Sequence, residues 1–353
     1  MESKPDLSAE ERLYLELKGL YEGFGYSPFR MRRFEEYSLY ADNLNFLRSR
    51  DVITFGSRDG RLLALKPDVT LSIVKNCAGE DGLKKAYYRE SVYRPGSDGQ
   101  FREINQIGLE CVGDADGYAE LEVLSLAAES LKAIGDDCAM DVSHMGALSA
   151  MARAFGREVL PGAVLRCIRA RNLHDLPAAC RACGMEGAEE KLAPLFGCTG
   201  GNGEKLALLN DLFGCCGVCR ELERALRALE GAGVRVQADF SLVNDAAYYN
   251  GVVFQGYVAS YPRAVLSGGR YDNLVKKFGA GRGGIGFALY PDELDFYLGS
   301  KKQFDADVLV LYAPEAAPED VLSFVCRLRG AGESVFAAAR VPENLRFKRV
   351  IKF

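Results

Sequence analysis

No apolar run in this 353-residue chain reaches the roughly 18 to 20 residues of a membrane-spanning helix. The first residues, MESKPDLSAEERLYLELKGLYEGFGY, lack the basic start and apolar core of a signal peptide, so the expectation is a cytoplasmic protein with no membrane partner. Positive charge is not in excess either. The 44 Lys and Arg against 49 Asp and Glu leave a formal net charge of -5, which argues against a protein built mainly to grip a phosphate backbone. Arginines do cluster locally, in ARAFGREVLPGAVLRCIRARN and in RFKRVIKF. Histidine is scarce, with only His144 and His174. Neither has the neighbours of a metal site or a nucleophilic triad, and both read as structural.

What is there fits a globular protein: 48% hydrophobic and 26% charged residues, in a length that suits two or three domains. The eleven cysteines are expected as free thiols, because no signal peptide points to an oxidising compartment. Cys180 and Cys183 (CRAC) and Cys216 and Cys219 (CGVC) form two CxxC pairs. Zinc would need all four thiolates to converge tetrahedrally from turn-rich knuckles. HDLPAACRACGMEG reads instead as a helix ending at Gly184, on which cysteines at i and i+3 share an apolar face. The structural reading is preferred, zinc is the alternative, and no metal or cofactor is assigned.

Ser8 and Glu11 make a capping box for a helix whose Leu13, Leu17, Leu20, Tyr21 and Phe24 recur at helical spacing, and Gly23 and Gly25 end it. A second helical segment is expected near 35–49. VITFGSRDGRLLAL then reads as a hairpin turning at 57–60, and Pro67 as the break before another helix. Residues 84–94 and 101–112 predict a long antiparallel hairpin around PGSDGQ. A helix at 117–134 and a strand at 138–143 follow. Residues 146–230 read as a mostly helical insert, broken by the flexible GCTGGNGEK at 197–205. Strands are expected at 234–240, 251–258, near 264 and at 284–289, with a helix from about 272. This is an α+β arrangement around an antiparallel sheet, over residues 1–300. From 301 to 353 the order strand, helix, strand predicts a small C-terminal α/β module.

Four segments carry a resemblance: LKPDVT at 65–70, VYRPGSDGQFREINQIGLECVG at 92–113, DAAYYNGVVFQGY at 245–257 and LSGGRYDNL at 266–274. In this order and spacing they resemble the catalytic core of class II aminoacyl-tRNA synthetases, of the histidyl-tRNA synthetase branch. The resemblance implies an antiparallel sheet flanked by helices, a homodimer through the N-terminal half, and a histidine pocket. A cationic amine and an imidazole need carboxylates, an orienting hydroxyl or amide, and aromatic walls. Asp68, Thr70, Gln106 and Glu110 supply the polar set, and Tyr248 and Tyr249 the aromatic one. Gln106 and Glu110 are four apart on a strand and share a face, with Arg102 beside them. The alternative is that Gln106 and Glu110 make cross-strand pairs on a solvated face. Gly268 and Gly269 let a ligand or another strand approach the backbone closely, or mark a bulge or turn.

The chain departs from a synthetase where ATP would bind. Arg94 matches the arginine of the second class motif, but the acidic residue expected two positions on is Gly96, the loop is short, and an arginine across it is Gln100. The arginine four residues before the tyrosine pair is Asn244, which carries no guanidinium. The final pattern GFAxGxER becomes GFALYPDEL, so Tyr290 replaces a glycine and Glu293 an arginine. Each lost donor removes about 2.7–4 kcal/mol of transition-state stabilisation. Retained amino-acid contacts without ATP chemistry resemble the regulatory subunits of ATP phosphoribosyltransferase, synthetase paralogues of histidine biosynthesis. That family implies no catalytic residues of its own, assembly with a short-form catalytic subunit, and sensing of free histidine. The alternatives are a divergent histidyl-tRNA synthetase or amino-acid ligase, and a paralogue with another small ligand or an RNA partner; tRNA is not expected.

Overall fold

The computed structural model describes residues 7–47, 52–96, 98–243, 248–259, 261–294 and 304–353. The chain divides into two compact units, Glu10–Tyr297 and a smaller one made of Met1–Ala9 with Leu298–Phe353. The expected arginine replacement at Asn244 and the module boundary near residue 300 lie outside the described residues. Among the described residues, no helix is long and apolar enough to cross a membrane.

Helix α1 (Ala9–Gly23) buries Leu13, Leu17 and Tyr21 on one stripe, as i, i+4 spacing requires. After the short strand β1 (Ser27–Pro28) comes a three-stranded sheet of β2 (Phe34–Glu36), β3 (Thr54–Gly56) and β4 (Leu62–Leu65), with helix α2 (Tyr37–Ala41) between β2 and β3. The structure corrects the helix expected at 35–49. Its first residues form β2 instead, paired antiparallel to β4, a partner some thirty residues away that local periodicity cannot register. Only Tyr37–Ala41 and a single 3-10 turn at Leu44–Phe46 are helical, and 48–49 lie outside the described residues. The β3–β4 hairpin turns through Gly60, whose φ of 82° is a left-handed conformation that side chains resist.

Helix α3 (Thr70–Asn76) starts just after Pro67, and the Asp68 carboxylate accepts the Leu71 N–H at 2.9 Å. The long hairpin β5 (Leu83–Pro95) and β6 (Phe101–Gly113) follows, then helix α4 (Gly117–Ile134), capped by Asp116, and strand β7 (Cys138–His144). The insert is six helices: α5 (Met145–Ala154), α6 (Gly162–Arg169), α7 (Leu176–Ala182), α8 (Ala188–Gly197), α9 (Asn202–Phe213) and α10 (Cys216–Ala228). The chain returns through β8 (Arg235–Ala238), β9 (Val252–Val258), β10 (Leu266–Arg270), α11 (Asp272–Phe278) and β11 (Gly283–Leu289).

These strands form one eight-stranded sheet in the order β1-β5-β6-β11-β10-β9-β7-β8, antiparallel except at its two edge pairs. Its two faces differ because side chains alternate along every strand. One face carries Ile107, Leu109, Ile285, Phe287, Phe254 and Val142, all buried, beneath α1 and α4. Tyr21 of α1 meets Phe287 edge-on at 6.1 Å, and Leu131 of α4 occupies the space that a Cβ on Gly256 would take. The opposite face carries the polar groups. The register sets one transverse row there of Tyr88, Gly108, Ala288, Ser267, Gln255 and Asp141, and a neighbouring row of Glu110, Gly286, Gly269 and Val253.

In the smaller unit, β12 (Ala306–Leu311), α12 (Pro318–Gly330), β13 (Val335–Ala338) and β14 (Phe347–Lys352) build a parallel sheet in the order β13-β12-β14. Central β12 buries Val308, Leu309 and Val310 consecutively, as a strand covered on both faces does. The third strand, β14, lies in the RFKRVIKF segment, where basic residues mask the strand pattern.

Candidate functional site

Strands β5, β6, β10 and β11 present a cleft lined by Asp68, Thr70, Gln106, Glu110, Tyr248 and Tyr249. Asp68 and Thr70 arrive from the start of α3, the carboxyl and amide groups from β6, and the tyrosine pair from the segment before β9. Gln106 and Glu110 are 5% and 2% exposed, so the solvated-face alternative does not hold. Glu110 accepts the Thr70 hydroxyl at 2.5 Å with one oxygen and the Tyr271 hydroxyl with the other. The Arg94 guanidinium stands 3.8 Å from Asp68 and donates at 2.8 Å to the Pro67 carbonyl. Gln106 makes no side-chain hydrogen bond to any described residue, which leaves its amide for a ligand.

Two carboxylates face one guanidinium, and the surplus negative charge suits a cationic amine. Burial raises the hydroxyl pKa values of Tyr88, Tyr248 and Tyr271 well above the usual range, so these phenols are neutral hydrogen-bond donors. The Tyr248 and Tyr249 rings pack edge-on with centroids 4.6 Å apart. Glycine makes this floor possible. A Cβ on Gly286 would fall 1.8 Å from a Glu110 carboxylate oxygen, and one on Gly269 would fall 2.7 Å from the Tyr249 ring. What approaches the glycine backbone is the protein's own side chains.

The free space in the cleft is about 20 Å³, room for roughly one water, against roughly 300 Å³ at the small end of ligand pockets. Protein groups fill it. Tyr290 lines the cleft and shares a 2.9 Å hydrogen bond with Ser267, so a phenol stands where the resemblance implies the adenine side of a nucleotide. Glu293 sits in a 3-10 turn and pairs with Arg263 at 3.0 Å. Gln100 lies exposed in the β5–β6 turn, its N–H on the Asp98 carboxylate at 3.2 Å.

The structure does not bring Arg102 to this cluster. Its side chain is 56% exposed and paired with Asp98 at 2.9 Å. Parity puts Arg102 on the right face, but the strand rises roughly 3.3 Å per residue, so it stands roughly 13 Å beyond Gln106, over the hairpin turn. Sequence reasoning missed Tyr88 and Tyr271 in the cleft. The signal for Tyr88 is strand parity, opposite Gly108; Tyr271 stands within LSGGRYD, one residue past the strand.

Elsewhere, His144 caps α5 by accepting the Gly146 N–H at 2.9 Å, and its other ring nitrogen meets Glu221 of α10 at 3.0 Å. Burial lowers its pKa below the ordinary 6.5, against the pull of Glu221. Cys180 is buried on α7 with Cys183 at its C-terminal end, while Cys216 and Cys219 lie on α10, where Cys219 stands 3.9 Å from Cys215. Among the described residues, no three His, Cys, Asp or Glu side chains are grouped to hold a metal ion.

The family model described as Histidyl-tRNA synthetase matches residues 3–294. The ATP phosphoribosyltransferase regulatory subunit of Symbiobacterium thermophilum is 31% identical over 94% of this chain and 87% of its own length. Among solved structures, an ATP phosphoribosyltransferase regulatory subunit/histidyl-tRNA synthetase from Bacillus halodurans aligns with a TM-score of 0.78 at 22% identity, over 100% of this chain and 96% of that one. A chain of the ATP phosphoribosyl transferase (HisG:HisZ) complex from Thermotoga maritima aligns with a TM-score of 0.61 at 20% identity, over 79% of this chain and 96% of that one. By the family match over residues 3–294 and the 31% identity to a curated relative, this chain belongs to the family of ATP phosphoribosyltransferase regulatory subunits, relatives of histidyl-tRNA synthetase.

Proposed function

We propose that this chain is a non-catalytic regulatory subunit that binds free histidine between Asp68, Thr70, Gln106 and Glu110 and controls a short-form ATP phosphoribosyltransferase catalytic subunit. The observation that carries this reading is the asymmetry of the cleft. Asp68, Thr70, Gln106 and Glu110 converge and are buried, Tyr290 lines the same cleft, and Glu293, where the resemblance implies an arginine, is paired with Arg263. Of the arginines that class II chemistry aims at a triphosphate, the resemblance leaves Arg94 and loses the one matched by Glu293. The regulatory name of the Symbiobacterium relative and the two-component name of the Thermotoga complex support the partner.

Regulation follows from the closed cleft. Histidine enters only a conformation in which Glu110 and the tyrosine pair have moved, so it favours that conformation by its differential affinity. A catalytic subunit that binds one of the two forms better then feels the histidine concentration. The test is to purify the chain with a short-form phosphoribosyltransferase and measure its activity with and without histidine. Activation by the chain and inhibition by histidine are expected. Robust histidine-dependent pyrophosphate exchange by the chain alone would overturn the reading in favour of a synthetase.

A further inference from the structure

Beside the closed cleft lies an open chamber of about 590 Å³, within the usual range of ligand pockets. Its floor is the part of the polar row that crosses β7, β9 and β10, where Asp141, Gln255 and Ser267 are directly paired neighbours over roughly 10 Å. Its walls are the end of α6 and the 239–243 segment, with Arg171, Asp239 and Ser241. Tyr248, Tyr249 and Ser267 belong to both spaces.

Several polar groups here are left open. Asp141 is 7% exposed; one of its oxygens accepts the Gln237 amide at 2.6 Å, and the other has no partner among the described residues. Gln255 accepts the Tyr257 hydroxyl at 2.9 Å with its carbonyl, and its NH₂ makes no hydrogen bond among the described residues. Arg171 donates to Asp239 at 2.7 Å and to Ser241 at 3.3 Å while its side chain stays 57% exposed. Arg171 is also the one non-glycine of positive φ, 50°, among the described residues. This is the left-handed cap that ends α6, closed by the Asn172 N–H on the Cys167 carbonyl at 2.8 Å, and it places Arg171 at the chamber wall.

The charges decide the ligand class. Asp141 and Asp239 balance Arg169 and Arg171, so a phosphate or a bare cation would meet as much repulsion as attraction. A zwitterion can set each of its charges against the opposite one. We infer that this chamber is a second ligand site, for a free α-amino acid, with its ammonium on Asp141, its carboxylate on Arg171 and Gln255, and its side chain among the three tyrosines. Burial raises the Asp141 pKa, and an ammonium beside it restores the charged form. This site shares Tyr248, Tyr249 and Ser267 with the cleft but none of its charged groups, so it does not require histidine at Glu110.

The experiment is calorimetric titration of the full chain carrying Glu110→Gln, so that the cleft is weakened, with each standard L-amino acid and its decarboxylated amine. At least one amino acid is expected to bind. Adding Asp141→Asn, which keeps the bond to Gln237, weakens it roughly 10- to 100-fold, as expected for a lost charge-assisted hydrogen bond. Adding Arg171→Gly, which suits the positive φ, weakens the amino acid similarly but leaves its amine unchanged. Absence of binding by every standard amino acid at millimolar concentration would overturn the site. So would binding that survives both Asp141→Asn and Arg171→Gly.

Discussion

Tyr271→Phe separates the stability of the cleft from its ability to bind. Tyr271 is 1% exposed, and its hydroxyl donates to the Glu110 oxygen that Thr70 does not use. Phe keeps the ring that packs over Gly284 and removes one hydrogen-bond donor from that buried carboxylate. A hydrogen bond to a charged group contributes about 1.5–3 kcal/mol. For a unit of this size each kcal/mol moves the midpoint by about 2 °C, so a fall of roughly 3–6 °C in Tm is expected by thermal unfolding. Histidine affinity is expected to move the other way. Because the cleft has room for about one water, histidine enters by drawing Glu110 off its present partners, and the variant has one fewer bond to break. The affinity gain is bounded by that bond, roughly 10- to 100-fold by calorimetry, whereas Glu110→Ala loses binding. An unchanged Tm, or a loss of histidine binding as complete as in Glu110→Ala, would refute the reasoning.

Gly286→Ala places a Cβ 1.8 Å from the Glu110 carboxylate and 2.4 Å from the Leu109 carbonyl, which cannot move aside. A loss of about 1–3 kcal/mol and weaker histidine binding are expected, and a wild-type melting curve would contradict this. His144 has a folded pKa depressed by burial below 6.5. The stability it contributes is therefore present above about pH 6.5 and lost as pH falls through the folded value. His144→Asn, which keeps a good helix cap, is expected to flatten the fall in Tm between about pH 7 and about pH 5; equal slopes would exclude His144 as the titrating group. Treatment with EDTA is expected to leave Tm unchanged, because no three potential ligands are grouped among the described residues; a clear drop would restore the zinc alternative for Cys180, Cys183, Cys216 and Cys219.

Much of the cleft is legible in the amino-acid sequence. The even parity of Gln106 and Glu110 on β6 and the break at Pro67 before Thr70 are local patterns, and local geometry obeys them. Sequence and structure part where a distant partner intervenes. Glu36 reads as helical but stands in β2, because β4 is there to pair with it. Arg102 shares the parity of Glu110 yet ends outside, because parity gives a face and not a distance. Glu293 reads as a repulsive charge toward a triphosphate, and it is half of an ion pair with Arg263.

The sequence by itself determined most of the order of the elements, which residues of a strand share a face, and which chemical groups are present or missing. The amino-acid set of Asp68, Thr70, Gln106 and Glu110 and the replacements at Tyr290 and Glu293 follow from residue identity alone. Only the tertiary structure decided that these groups close on one another through Tyr271. Likewise, only the register of β7, β9 and β10 set Asp141, Gln255 and Ser267 side by side beneath Arg171. The reason is that periodicity acts within one element, where covalent geometry dictates direction. Free volume and unpartnered atoms instead depend on which of many distant strands pair and in which register.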